Sequence, residues 1–172
     1  MRAAILIAFV LVRSGCNGPA APALPATSAS PAAATPDDPL RGLARKVLSL
    51  GNRQRRLHGL HELRWNVALA EQARLQSMNR MERGFFSHID PVRGALSARL
   101  QAAGIQWSRC GENIFREQGM EDPPDAAVEG WMKSPAHRQS LLDPLFTETG
   151  VGIAISPDTE YFITQDFIRP LK

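Results

Sequence analysis

Three short polar islands interrupt an otherwise apolar C-terminal two-thirds: Phe86-Ser87-His88, Gly111-Glu112-Asn113-Ile114, and Trp131-Met132-Lys133-Ser134-Pro135-Ala136-His137-Arg138. Each carries a group able to bind or transfer a proton, namely His88, Glu112 and His137. Two imidazoles and a carboxylate suit general acid/base work or the holding of a divalent metal. Asn113, Ser134 and Glu129 lie in or beside the same islands and are candidate ligand-binding groups. The sequence offers no comparable constellation elsewhere. A plainer reading stands beside each residue: His88 as a hydrogen-bonded loop residue, Glu112 as a cap on a nearby backbone terminus, His137 as a fastener of its helix.

The elements that must position these groups follow from periodicity and punctuation. Leu40, Leu43, Ala44, Val47 and Leu48 recur at helical spacing behind Asp37-Asp38-Pro39, so a first helix starts there and ends near Gly59. A second runs from Val67 to Arg83, with Asn66 as N-cap, Gly84 as stop, and Leu69, Ala70, Ala73, Met78 and Met81 as its inner stripe. That stop places His88 in a loop beside a helix end. A third helix covers Ala95 to Ala103, and a fourth opens at Asp122-Pro123. Ser134-Pro135 reads as the N-cap and first-turn proline of one more turn, which sets His137 near a helix N-terminus and disfavours its protonated form. Val151, Ile153 and Ile155 alternate, Ser156 to Thr159 is turn material, and Tyr161 to Ile168 alternates again, an antiparallel hairpin. Asn113 to Arg116 supplies a third, short strand. Helices first and strands last imply an α+β domain with a small antiparallel sheet covered by helices.

Residues 1–15 have the form of a signal peptide: Arg2, then an apolar run from Ala3 to Val12, too short for the ~20 residues of a spanning helix. Ser14-Gly15-Cys16 places small residues before a cysteine, as in a lipobox where Cys16 is acylated, although Arg13 stands where such a box has Leu. The expected protein is an extracytoplasmic lipoprotein anchored to the membrane, with Asn17 favouring the outer membrane of a Gram-negative cell. A cleaved secretion signal or a short uncleaved anchor is the alternative. Residues 16–38 are Pro, Ala, Ser and Thr with almost no large apolar side chain, a tether that cannot offset its ordering entropy. Residues 39–172 have the length and apolar content of one domain. Loss of Arg2 and Arg13 with the leader reduces the formal net charge of +3 to +1, so nucleic acid is not an expected partner. With Cys16 lipidated, Cys110 is the remaining cysteine and is expected as a buried thiol. His58 and His61 are expected in solvent.

The order Asn52…Arg56, Leu63…Trp65-Asn66…Leu69-Ala70, the three islands, Gly150-Val151-Gly152 and Thr164-Gln165-Asp166-Phe167 resembles the bacterial branch of the CAP superfamily, also called the SCP domain, over nearly all of residues 40 to 170. The resemblance implies a three-layer α-β-α sandwich. It also implies a cleft which in eukaryotic members is lined by two His and two Glu, sometimes with zinc or another divalent ion. His88, Glu112 and His137 fall on that pattern. The second acidic position holds Ser134, and Glu129, two residues before Trp131, substitutes only if its side chain turns toward the cleft. His88 and His137 are thus the expected metal ligands, if a metal binds.

Three functions stay open on the residues alone. The cleft binds a lipid, a glycan or a peptide; or His88 or His137 acts as the base of a hydrolase with Glu112 orienting it, with or without zinc; or the residues form a structural polar network. No nucleophile elbow surrounds Ser87 or Ser134. If the three residues form one site, the imidazoles lie within about 10 Å of each other, Glu112 accepts a hydrogen bond from one and raises its pKa, and the two rings titrate apart. Glu112→Gln is expected to narrow that gap and leave the domain folded.

Overall fold

The computed structural model describes residues 39–171, so the signal, Cys16 and tether assignments lie outside the described residues. Five helices, α1 (Pro39–Leu57), α2 (Val67–Arg83), α3 (Leu96–Ala102), α4 (Pro123–Lys133) and α5 (Pro135–Leu141), surround four strands, β1 (Arg64–Trp65), β2 (Arg109–Gln118), β3 (Glu148–Ile155) and β4 (Glu160–Arg169). The sheet order is β1-β3-β4-β2. β3 and β4 form the expected hairpin, and β2 pairs antiparallel with β4 along its full ten residues, far beyond the four expected. The two-residue β1 pairs parallel with β3, which makes the sheet mixed rather than purely antiparallel.

Alternation along the strands builds three layers. Val151, Ile153, Ile163 and Phe167 face one way and pack with Ala44 and Val47 of α1, Ala127, Val128 and Trp131 of α4 and Leu141 of α5. Ile168 faces the other way, against Leu69 of α2 and Leu96 and Leu100 of α3. Trp131 is fully enclosed and its indole N–H donates to the Ile114 carbonyl at 3.0 Å, which ties α4 to β2.

Local chemistry sets the ends of α2. Asn66 has extended backbone and its side chain accepts from the Leu69 N–H, while Gly84 closes the helix at φ 65°. α2 lies so close to β3 that a Cβ on Gly150 would stand 2.1 Å from the Ala70 nitrogen, and one on Gly152 would stand 1.9 Å from the Arg74 nitrogen. Those two glycines are what let the helix backbone rest on the strand. The buried stripe of α2 corrects the expectation: it is Leu69, Gln72, Ala73, Gln76, Ser77 and Arg80, with Met78 half-buried. A hydrophobic criterion selects the methionines, whereas the helix turns polar groups inward. Ser77 donates to the Gly152 carbonyl and shares a hydrogen bond with Thr164.

On the other layer Arg55 is fully buried on α1 and donates to the carbonyls of His61, Leu141, Asp143 and Phe146. One guanidinium fork thereby straps the loop that follows α5 to the end of α1. Cys110 is half-buried on β2, less enclosed than expected. No helix of the described residues is long and apolar enough to cross a membrane.

Candidate functional site

His88 follows the stop of α2 and belongs to the α2/α3 layer, whereas His137 belongs to α5 in the opposite layer. They meet at β2, an edge strand, with ring centroids 6.2 Å apart. Glu112 on that strand accepts from His88 Nδ1 at 2.8 Å. Convergence of the three residues is therefore as expected. His88 is 22% exposed and Glu112 only 4%, so the imidazole edge is accessible and the carboxylate is not.

Why Glu112 tolerates burial is the main feature absent from the sequence reading. Arg80 of α2 donates to its Oε1 at 3.0 Å and Arg99 of α3 to its Oε2 at 2.5 Å, and both arginines are themselves buried. Arg80 also holds Thr164 and the Ser87 carbonyl, and Arg99 holds the carbonyls of His88 and Gly94. The two guanidinium groups thus fix both the carboxylate and the backbone that carries His88. Burial opposes ionisation of Glu112, but Arg80, the His88 hydrogen bond and Arg99 outweigh it and hold the carboxyl at about 2. An ionised Glu112 only accepts, so His88 Nδ1 is the donor and its Nε2 is the nitrogen left for other partners.

His137 is buried, and its pKa falls to about 4, first because burial disfavours the charged ring and second because His88 is close. The direction agrees with the expectation, but the cause is desolvation rather than a helix terminus. Asn113 donates from Nδ2 to the His137 carbonyl at 3.0 Å and so positions α5 on β2. Ser134 caps α5 with its backbone carbonyl, which accepts from Arg138, while its hydroxyl is buried and unpaired among the described residues. Glu129 is corrected as a ligand group: its side chain is 68% exposed and pairs with Lys133 one turn along α4, so it stays in solvent. His58 and His61 are exposed, as expected.

Asp166 is the other residue missed. It sits opposite Glu112 in the β2–β4 register and is completely buried. Burial and the Glu112 charge push its pKa well up, against the pull of Arg99 and Arg80. The uninterrupted polar run Thr164-Gln165-Asp166 in an alternating strand was the available signal, because it puts polar side chains on both covered faces. Buried Arg80 and Arg99 left no such signal. A structural consequence revises the expectation for Glu112→Gln, since that change strands two buried cations.

Zinc in a protein site takes three or four protein ligands at ~2 Å. Here both Glu112 oxygens are committed to positive donors, the fourth family position is Ser134, and Glu129 points away. Among the described residues no group of three or more His, Cys, Asp and Glu is placed to hold a metal. His88 and His137 alone do not make a resident zinc site.

Residues 48–167 match the model of the cysteine-rich secretory protein family, CAP, and the chain belongs to that family. It is 38% identical over 125 residues to the membrane protein YlbC of Bacillus subtilis, a match covering 73% of this chain and 34% of YlbC. An extracellular protein containing an SCP domain from Bacillus anthracis superposes with a TM-score of 0.65 at 32% identity, over 79% of this chain and 45% of that one. A further structure, solved with Zn2+, shares the fold with a TM-score of 0.57 at 15% identity, over 79% of this chain and 84% of that one. The chain spans about a third of its curated relative YlbC and under half of the Bacillus anthracis chain.

Proposed function

We propose that this CAP domain is an extracytoplasmic binding module, held at the membrane through an acylated Cys16, whose two-histidine site takes a lipid, glycan or peptide ligand of the cell envelope without reacting with it. One observation carries the reading: Glu112 is buried, bonded by Arg80, Arg99 and His88, and held ionised. A general acid or base works best with a pKa near the working pH and needs access to the proton it moves. Glu112 has neither, and His137, near 4, is a weak base at neutral pH. Recognition suits this frame: the His88 Nε2 edge and the neutral His137 ring beside it offer hydrogen bonding to a bound ligand, while Glu112 orienting His88 is the feature a hydrolase would share. The relatives described as a membrane protein and an extracellular protein support the placement.

The test uses the full chain carrying Cys16→Ala, which should remain in solution. Phospholipid vesicles, peptidoglycan fragments and short peptides are titrated against it and against the further change His88→Ala. Saturable binding of one class that weakens at least tenfold with His88→Ala supports the reading. Absence of binding to all three favours the structural network, and turnover of any of them favours the hydrolase. Retention of Cys16→Ala in the membrane fraction would refute the anchor.

A further inference from the structure

Glu112 and Asp166 are register partners on adjacent strands, so their side chains leave the same face as direct cross-strand neighbours. Asp166 is fully enclosed, and neither of its oxygens is paired with a described donor. The charged groups around it are Arg80 from α2, Arg99 from α3 and Glu112 from β2. The terminal nitrogens of both arginines bond Glu112, Thr164 and backbone carbonyls, and none of them, nor the unpaired Arg99 Nε, bonds Asp166 among the described residues. An ionised Asp166 would leave two buried anionic oxygens without hydrogen bonds, among the most costly arrangements a core can hold. A protonated carboxyl has one O–H to donate, and the neighbouring acceptor is Glu112, close enough for a side-chain hydrogen bond. Glu112 has room for it: its oxygens offer about four acceptor positions, of which Arg80, His88 and Arg99 fill three.

We infer that Asp166 is a positioning residue of the site: it keeps its proton, donates it as a hydrogen bond to Glu112, and so completes the frame that fixes the carboxylate and, through it, the His88 ring. The chain of bonds runs Asp166 O–H to Glu112, then His88 Nδ1–H to Glu112, and leaves His88 Nε2 outward. Glu112 takes four donors of fixed direction and has no rotational freedom left. The direction of the Asp166 titration, upward by burial and by the Glu112 charge, agrees with this arrangement. The inference is independent of any ligand, since every readout below is made on the protein alone.

Carboxyl 13C and imidazole 15N resonances of the full chain with Cys16→Ala report it directly. The expected result is an Asp166 carboxyl still protonated at pH 7 and His88 as the Nδ1–H tautomer. Asp166→Asn, which keeps a donor and carries no charge, should retain that tautomer. Asp166→Val, which keeps bulk and removes the donor, should give a mixture of His88 tautomers. An ionised Asp166 at pH 7, an unchanged His88 in Asp166→Val, or a His88 disturbed as much by Asn as by Val would each overturn the inference. If Asp166→Val does not fold, the wild-type carboxyl signal decides alone.

Discussion

His88 and His137 stand 6.2 Å apart between ring centroids although they come from opposite layers of the sandwich. The contact exists because β2 is an edge strand: the loop after α2 and the start of α5 both reach its rim, and Glu112 and Asn113, successive residues with opposite side-chain directions, fasten one layer each. A site built this way depends on the packing of both layers.

Glu112→Gln should cost about 3–5 kcal/mol of folding stability, because it leaves Arg80 and Arg99 buried without their counter-charge. Urea unfolding measures it. A loss under about 1 kcal/mol would mean that Glu112 contributes no more than a surface ion pair.

Acidification should destabilise the fold in two windows. His137 has a folded pKa of about 4 against an ordinary 6.5, so its contribution is complete above 6.5 and is lost as pH falls toward 4, up to about 3 kcal/mol. Glu112, at about 2 against 4.5, adds a loss between 4.5 and 2. Asp166 acts with the opposite sign: its raised pKa favours folding below the ordinary 3.8, and that contribution is lost as pH rises through its folded value. The difference between wild type and His137→Gln isolates the first window. The variant should show a flatter dependence from pH 6.5 to 4, and identical slopes would contradict the assignment.

Gly152→Ala should destabilise by roughly 3 kcal/mol or more, since its Cβ would fall 1.9 Å from the Arg74 nitrogen and only backbone movement relieves that. Gly42→Ala on α1, with nothing within 4 Å of the added carbon, is the control and should be neutral or slightly stabilising. Thermal melts of the pair separate close packing from a general glycine effect.

Chelation should leave the melting temperature unchanged, and zinc at micromolar concentration should not raise it, because the donor set lacks a third protein ligand. A rise of several degrees on adding zinc would show that the donors rearrange around the ion.

Much of this frame was legible because it rests on local rules. Asn66 and Gly84 bracket α2 by capping chemistry that needs no knowledge of the fold, and the β3–β4 hairpin announces itself by alternation. The three islands identified His88, Glu112 and His137, and the structure brings them together. β1 was beyond reach, since two residues carry no periodicity and pair only because β3 lies alongside. Arg80 and Arg99 were beyond reach for a different reason: an isolated arginine on a helix reads as solvated, and only tertiary pairing with one carboxylate makes its burial tolerable. Glu129 failed in the converse way, its chemistry suiting a cleft that its helical phase does not face.

The central claim is that two imidazoles share one rigid site in which Glu112 clamps His88 and burial keeps His137 neutral. Imidazole NMR of the full chain with Cys16→Ala, titrated from pH 8 to the acid limit of folding, tests it most directly. The account predicts an NOE between the two rings, His88 held as the Nδ1–H tautomer, and no protonation of His137 until pH approaches about 4. Two rings without an NOE, with His137 titrating near its ordinary 6.5, would contradict it.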